Sequence, residues 1–263
     1  MTPVRIAIHG AAGRMGKRLV ALAAEDPEIQ VVAALESSNH PRLGEDAGTV
    51  AGAGPLGVPL ASQLQGESEV IIDFSLPEAF DSLLETALQQ RIPLVVATTG
   101  LSGQQRERLE AAAAQIPVLS APNMSLAVNL AMKLAQAVAQ VCRGRDVDVE
   151  IIERHHRFKE DAPSGTALRF GQIIASVMGQ GQHRHGRQGR PGPRPRDEIA
   201  YHAIRAGDNP GEHTIVFASL GEVLELTVRA TNRDCYAQGA LAAAKFLAAQ
   251  SPGLYDMTHV LGL

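Results

Sequence analysis

Val4-Arg5-Ile6-Ala7-Ile8-His9-Gly10-Ala11-Ala12-Gly13-Arg14-Met15-Gly16 opens the chain as a short strand, a glycine turn and the first residues of a helix. Residues 4–8 are an apolar, β-branched-rich run, and 15–25 repeat their apolar positions with helical spacing. Glycines at such a turn let the backbone approach a pyrophosphate, while the helix's first N–H groups and positive end face the anion. Small Ala11 and Ala12 keep the turn tight. Residues 30–35 are a second apolar run, and Glu36 stands at its end, twenty residues past Gly16. An acid there accepts hydrogen bonds from ribose hydroxyls. Strand, glycine turn, helix, strand and acid together predict a dinucleotide-binding βαβ unit.

The pattern continues outward from this unit. Residues 69–74 and 94–99 are strand-like, Pro77 opens a helix, 102–115 are helical and 118–120 form a fifth strand. Strands alternating with helices imply right-handed crossovers and a parallel sheet covered on both faces. The fold class is α/β, with a doubly wound, Rossmann-like domain over 1–126. A helix over 125–141 leads out of it. From 127 to 235 the pattern changes: a half-buried strand at 146–153, a helix at 166–178, then strand-like runs at 198–205, 212–218 and 223–230 joined by turns. These predict an α+β domain with an open mixed sheet, mostly antiparallel. The alanine-rich helix near 236–249 returns, so 236–263 completes the first domain. Closure of the two domains is expected, hinged at 125–130 and 231–236.

A net charge of −4 gives no global attraction to nucleic acid or to an anionic membrane. Cys142 and Cys235 lie far apart, which favours free thiols in a reducing cytoplasm over a disulfide framework. The first residues carry no secretory pattern, and no apolar run approaches the length of a membrane span. A cytoplasmic protein is expected. Residues 180–196 hold His183, Arg184, His185, Arg187, Arg190, Arg194 and Arg196 among glycines and prolines. Without interleaved aromatics they do not read as a nucleic-acid patch; a mobile, solvated loop near an anionic ligand is expected.

The chemistry concentrates in Ile151-Ile152-Glu153-Arg154-His155-His156-Arg157-Phe158-Lys159-Glu160-Asp161-Ala162-Pro163-Ser164-Gly165-Thr166. Histidine transfers protons near neutral pH, and Lys159, four residues past His155, stays close to it in a helix or a loop. Ser164 is a natural helix N-cap, with Gly165 and Thr166 in the first turn, leaving donors for a carboxylate. Contiguous histidines with no third ligand at metal spacing, beside a lysine, argue against a metal site. These residues suit a small dicarboxylic acid. At the end of the fourth strand, Ala97-Thr98-Thr99-Gly100 either faces a nicotinamide or a substrate, or simply caps the next helix. Glu36 repels the 2′-phosphate of NADP, and Ser37 and Ser38 bring no cation, so the cofactor is NADH or NADPH with a lean to NADH. Arg14 and Arg42 are the cations within reach of that phosphate. Two rival readings remain open: another small amino- or keto-acid dehydrogenase, and a nucleotide-sensing module without catalysis.

Across its whole length the chain resembles the 4-hydroxy-tetrahydrodipicolinate (dihydrodipicolinate) reductase family of lysine and diaminopimelate biosynthesis. The resemblance rests on 10–16, Asp73-Phe74-Ser75, Ala97-Thr98-Thr99-Gly100, Ala121-Pro122-Asn123-Met124-Ser125, 153–167 and 205–214. It implies His155 as proton donor and Lys159 as the second catalytic group. His156, Ser164, Gly165 and Thr166 would meet the substrate carboxylates. Gly10, Ala11, Ala12, Gly13, Arg14 and Met15, with Glu36, Ala97, Thr98, Thr99, Ala121, Pro122, Asn123 and Met124, would hold the dinucleotide. A homotetramer built through the C-terminal sheet is implied too. Three positions depart from the family pattern: Ala97 replaces a usual glycine, Ser37 an arginine found in some members, and Asn209-Pro210 alters the turn before Gly211.

Overall fold

Alternation between two cores orders the first half of the chain. The structure, a computed structural model, describes residues 2–263. Its first elements are β1 (Val4–His9), α1 (Arg14–Glu25), β2 (Ile29–Leu35), α2 (Ala47–Ala51), β3 (Leu60–Ala61), β4 (Val70–Asp73), α3 (Pro77–Gln90), β5 (Leu94–Val96), α4 (Gly103–Ala112) and β6 (Pro117–Ser120). Along β1 and β4, Ile6, Ile8, Val70 and Ile72 join one apolar cluster, whereas Ala7 and Ile71 join another. Both sheet faces are therefore buried, as a parallel sheet with crossover helices requires.

After α5 (Leu126–Cys142) come β7 (Asp148–His155), α6 (Gly165–Met178), β8 (Gln182–His185), β9 (Glu198–Arg205), β10 (Gly211–Ser219) and β11 (Glu222–Ala230); α7 (Asp234–Leu247), β12 (Gly253–Tyr255) and α8 (Met257–Val260) end the chain. The chain divides into two compact units, one holding the residues up to Leu126 with Asp234–Leu263, the other Ala127–Arg233.

In the first unit the seven-stranded sheet runs β12-β6-β5-β4-β1-β2-β3, with every pairing parallel. The chain winds outward from β1 in one direction, then returns to β4 on its other side, leaving a switch point at the carboxyl ends of β1 and β4. Alanines make α7 thin: Ala237, Ala240, Ala243 and Ala244 are wholly buried. A Cβ on Gly239 would lie 1.8 Å from the Met124 carbonyl oxygen, so α7 packs directly on the loop after β6.

The second unit is a five-stranded sheet, β11-β10-β7-β9-β8. Here β10 is antiparallel to both neighbours, while β7–β9 and β8–β9 are parallel. The sheet is evenly mixed rather than mostly antiparallel, and the added parallel pairing comes from β8. The loop expected over 180–196 is corrected in part, since the segment stays mostly solvent-exposed. Its residues 182–185 form β8, although none is apolar, because β9 supplies a backbone partner. Arg187 clamps Glu150 at 2.8 and 2.9 Å and also bonds Glu198; Arg194 bonds Asp148 at 2.6 Å and Glu150 at 3.0 Å. Burial alone would raise the Glu150 carboxyl, but Arg187, His202 and Arg194 hold it down to about 2. These arginines belong to the fold.

Strand β7 carries the link to the site. Its burial alternates, so Val149 and Ile151 enter the apolar cluster of α5 and α6. The same period of two puts Glu153 and His155 on that buried face at the strand's carboxyl end.

Candidate active site

The dinucleotide residues expected from the sequence fall at the carboxyl ends of parallel strands, on one edge of the first unit's sheet. Gly10, Ala11, Ala12 and Gly13 form the turn after β1, Arg14 and Met15 begin α1, and Glu36 follows β2. Ala97, Thr98 and Thr99 follow β5, and Ala121, Pro122, Asn123 and Met124 follow β6. Gly10 has φ +77°, and a Cβ there would meet the Phe74 carbonyl oxygen at 2.8 Å. Gly13, the N-cap of α1, brings no side-chain bond to the helix's first N–H groups, and no acid occupies the first turn. A tight glycine turn packed against the Phe74 backbone, leading to a helix start free of competing side chains, fits a pyrophosphate. Glu36 is tied to this turn, its Oε1 accepting the Ala12 N–H at 2.8 Å and its Oε2 the Ser37 N–H at 3.3 Å.

The strand expected over 94–99 stops at Val96. Thr98 donates its hydroxyl to Asp73 Oδ2 at 2.8 Å, while Thr99 is exposed. Neither caps α4, whose N-cap is Ser102 in a box with Gln105. Asp73, wholly buried, also accepts the Ser75 N–H at 3.1 Å and pairs with His9 Nδ1 at 2.9 Å. Asp73-Phe74-Ser75 and Thr98 stood out as motifs in the sequence, but their pairing with each other and with His9 did not. Asn123 turns its carbonyl back onto the Ser125 N–H at 2.9 Å.

In the second unit, His155 ends β7 rather than riding a helix. It is 8% exposed, and its Nδ1 lies 2.6 Å from Glu153 Oε2. A Cβ on Gly211 would come within 2.9 Å of its Nε2. The backbone around it is laced to the 207–211 turn, since His156 N donates to the Asn209 oxygen and Arg157 N to the Gly207 oxygen, at 2.8 and 3.1 Å. Lys159 follows in a turn, its N–H on the His156 carbonyl at 3.1 Å and its Nζ on Asp161 at 2.6 Å. That ammonium is the main cause holding the Asp161 carboxyl below its usual range. The His156 Nδ1 is buried with no partner among the described residues.

Ser164 caps α6, accepting the Ala167 N–H at 3.2 Å. Its N–H goes to Glu153 Oε1 at 3.0 Å and its hydroxyl lies 3.0 Å from His213 Nε2, and the residue is buried. It is a bracket inside the site, leaving Gly165, exposed in the first turn, and Thr166 nearer solvent. Sequence reasoning also missed Arg205, which grips both oxygens of Glu153 at 2.7 Å. Glu153 is wholly buried; burial would raise its carboxyl, yet His155, Arg205 and the Ser164 N–H hold it down to about 2.

His213 completes this cluster, its ring 5.3 Å from His155 and edge-on to it. Burial, then the charge on His155, pushes His213 down from 6.5 to about 4. A histidine lowered on folding stabilises the native state fully above 6.5, and that contribution drains as pH falls towards 4. We expect a loss of about 3 kcal/mol across this window. His213→Gln, which keeps a polar partner for Ser164 and cannot ionise, should flatten the fall of urea-unfolding stability between pH 6.5 and 4.5 (the lower limit is about where the carboxylates take over). An equally steep fall in the variant would contradict this.

The comparisons join the two halves. Residues 4–124 match the family model "Dihydrodipicolinate reductase, N-terminus", and 127–261 match "Dihydrodipicolinate reductase, C-terminus". The chain belongs to the dihydrodipicolinate reductase family. A 4-hydroxy-tetrahydrodipicolinate reductase of Rhodopirellula baltica is 55% identical over 99% of this chain and 97% of its own. One of Alkalilimnicola ehrlichii is 46% identical over 98% and 99%. Among solved structures, a dipicolinate-bound dihydrodipicolinate reductase from Paenisporosarcina sp. TG-14 superposes with a TM-score of 0.78 at 26% identity, covering 97% of this chain and 98% of that one. The sheets described above are therefore those of a dihydrodipicolinate reductase, and His155 and Glu153 sit in the half matched by its C-terminal model.

Proposed function

We propose that this chain is an NAD(P)H-dependent reductase of 4-hydroxy-tetrahydrodipicolinate, yielding tetrahydrodipicolinate for lysine and diaminopimelate synthesis. The observation that carries the chemistry is the buried imidazole of His155, anchored through Nδ1 to Glu153 with Nε2 left over. When held by the turn after β1 and by Glu36, the dinucleotide would supply a hydride to an electron-poor carbon of the substrate ring. Electron density then builds along the conjugated system, and His155 protonates it from Nε2. Before the hydride arrives the substrate hydroxyl leaves as water together with a proton from the neighbouring ring carbon, and Lys159, exchanging exposed Asp161 for the substrate, polarises that hydroxyl. His156, whose buried Nδ1 has no partner among the described residues, meets a substrate carboxylate together with Gly165 and Thr166. Anchoring both ends of a dianion beside the proton donor is where much of the rate enhancement arises.

The cofactor lean is to NADH. Glu36 presents a fixed negative charge beside the turn, and Arg42, a candidate for a 2′-phosphate, is held by Glu45 at 2.7 and 3.0 Å. A kcat/KM at least equal for NADH is the expected outcome of initial-rate assays; an advantage of about tenfold or more for NADPH would overturn the lean. Self-association is the companion reading, a homotetramer built through the second unit's sheet. The edge strand β11 leaves Val223 and Leu224 exposed, a surface that soluble chains normally cover. No helix among the described residues is long and apolar enough to cross a membrane, in keeping with work in the cytoplasm.

The test is a coupled assay in which the preceding condensation of aspartate semialdehyde with pyruvate generates the substrate in situ. Consumption of reduced nicotinamide must require both the condensing enzyme and this chain. Turnover with other small keto or amino acids at a comparable rate, or cofactor binding without turnover, would refute the assignment.

A further inference from the structure

One buried carboxylate in the second unit receives four donors. Glu153 Oε2 faces His155 Nδ1 at 2.6 Å and Arg205 Nη1 at 2.7 Å, and Oε1 takes Arg205 Nη2 at 2.7 Å and the Ser164 N–H at 3.0 Å. The register of β7 against β9 pairs His155 with Arg205, so the guanidinium reaches across to Glu153 two residues back. Arg205 is itself pinned by the Asp161 carbonyl oxygen at 2.6 Å.

Unopposed, a buried carboxylate touching an imidazole would strongly favour its charged form. A histidine held in that way is a poor acid, because proton transfer is best when the donor's affinity lies near the working pH. Arg205 supplies the opposing charge on the same oxygen atoms. We propose that Glu153 and Arg205 form an opposed pair that sets how readily His155 releases its proton. The carboxylate fixes the ring with Nδ1–H inward and stabilises the imidazolium; the guanidinium holds that stabilisation back. Both are positioning residues acting through His155. This deepens the reading of His155 as the proton donor and rests on it.

Other ionisable groups around the ring have their own partners. His213 on β10 is bracketed by Ser164, Lys159 by Asp161, and Glu212 by Arg154 and Arg229. None of them touches both Glu153 and His155.

The test follows the His155 imidazole by NMR in histidine-labelled full-length enzyme, alongside the pH profile of kcat. In Glu153→Gln, the midpoint of the ring's titration should fall by about one pH unit or more, and the alkaline limb of kcat should move the same way. In Arg205→Gln both should rise. Arg205→Lys, which keeps the charge, should stay near the wild type. Because Arg205→Gln leaves a buried charge uncompensated, it risks misfolding. The neutral pair Glu153→Gln/Arg205→Gln avoids this, and its midpoint should lie above that of Glu153→Gln alone.

Midpoints that do not move, or that move the same way in Glu153→Gln and Arg205→Gln, would overturn the proposal. So would a double variant titrating no higher than Glu153→Gln. Opposite midpoint shifts with an unmoved kcat limb would uphold the tuning and refute His155 as the proton donor, which separates the two readings.

Discussion

Replacing His155 with alanine should lower kcat by about 10² to 10⁴-fold, the usual worth of a positioned proton donor. Affinity for dipicolinate, used as a non-reacting probe, should change far less. With Nδ1 committed to Glu153, only Nε2 of His155 remains for the reaction. The carboxylate-binding work falls to His156, Gly165 and Thr166 in the proposed scheme. Truncation also removes one donor from Glu153, but Arg205 and Ser164 still hold that carboxylate in place. His155→Gln, which fills the volume beside Gly211, separates lost chemistry from lost packing. His155→Gln should retain near-native urea-unfolding stability while losing turnover, and His155→Ala should lose turnover together with some stability. A kcat within about threefold of the wild type in a folded His155→Ala protein would remove the imidazole from the chemistry.

Much of the first unit was legible because its signals are local. Apolar runs such as Val70–Asp73 and the glycine spacing at 10, 13 and 16 state their structure without distant partners. The two-residue β3 and three-residue β12 gave no such signal, since so short a run has no period to read. β8 was hidden for another reason. Gln182–His185 contains no apolar residue, and only pairing with β9 makes it a strand.

The site shows the same division. His155 and Lys159 stood out by residue type, and Ser164 by its capping position. Which way Ser164 spends its hydroxyl depends on His213, 49 residues away, and no local pattern gives that. Glu153 is the instructive miss. The alternation placing Val149 and Ile151 in the core carries on to Glu153 and His155, so their shared face was readable from the strand's own period. A buried acid two residues before a histidine on one strand face is a pairing signal in its own right.

Gly16→Ala should be the most damaging single-methyl change in the turn between β1 and α1. A Cβ there would stand 2.0 Å from the Gly10 carbonyl oxygen and 2.6 Å from Ala11 Cα. Both are backbone atoms, so no side-chain rotation relieves the clash; α1 must lift away from the turn. Overpacking of this kind costs about 3 kcal/mol. For a unit of this size that lowers Tm by about 6 to 12 °C. The same displacement spoils the cradle between Gly10 and the helix start, and a misplacement of about 1 Å costs on the order of 10²-fold in function. NADH affinity, measured by fluorescence titration of folded protein below the lowered Tm, should fall to that extent. Gly103→Ala is the control, being also at a helix start but with nothing within 4 Å of the added methyl. It should leave Tm unchanged or slightly raised, because alanine narrows the unfolded ensemble. If Gly16→Ala matched that control in both Tm and NADH affinity, the close approach of α1 to the turn would have no part in holding the dinucleotide.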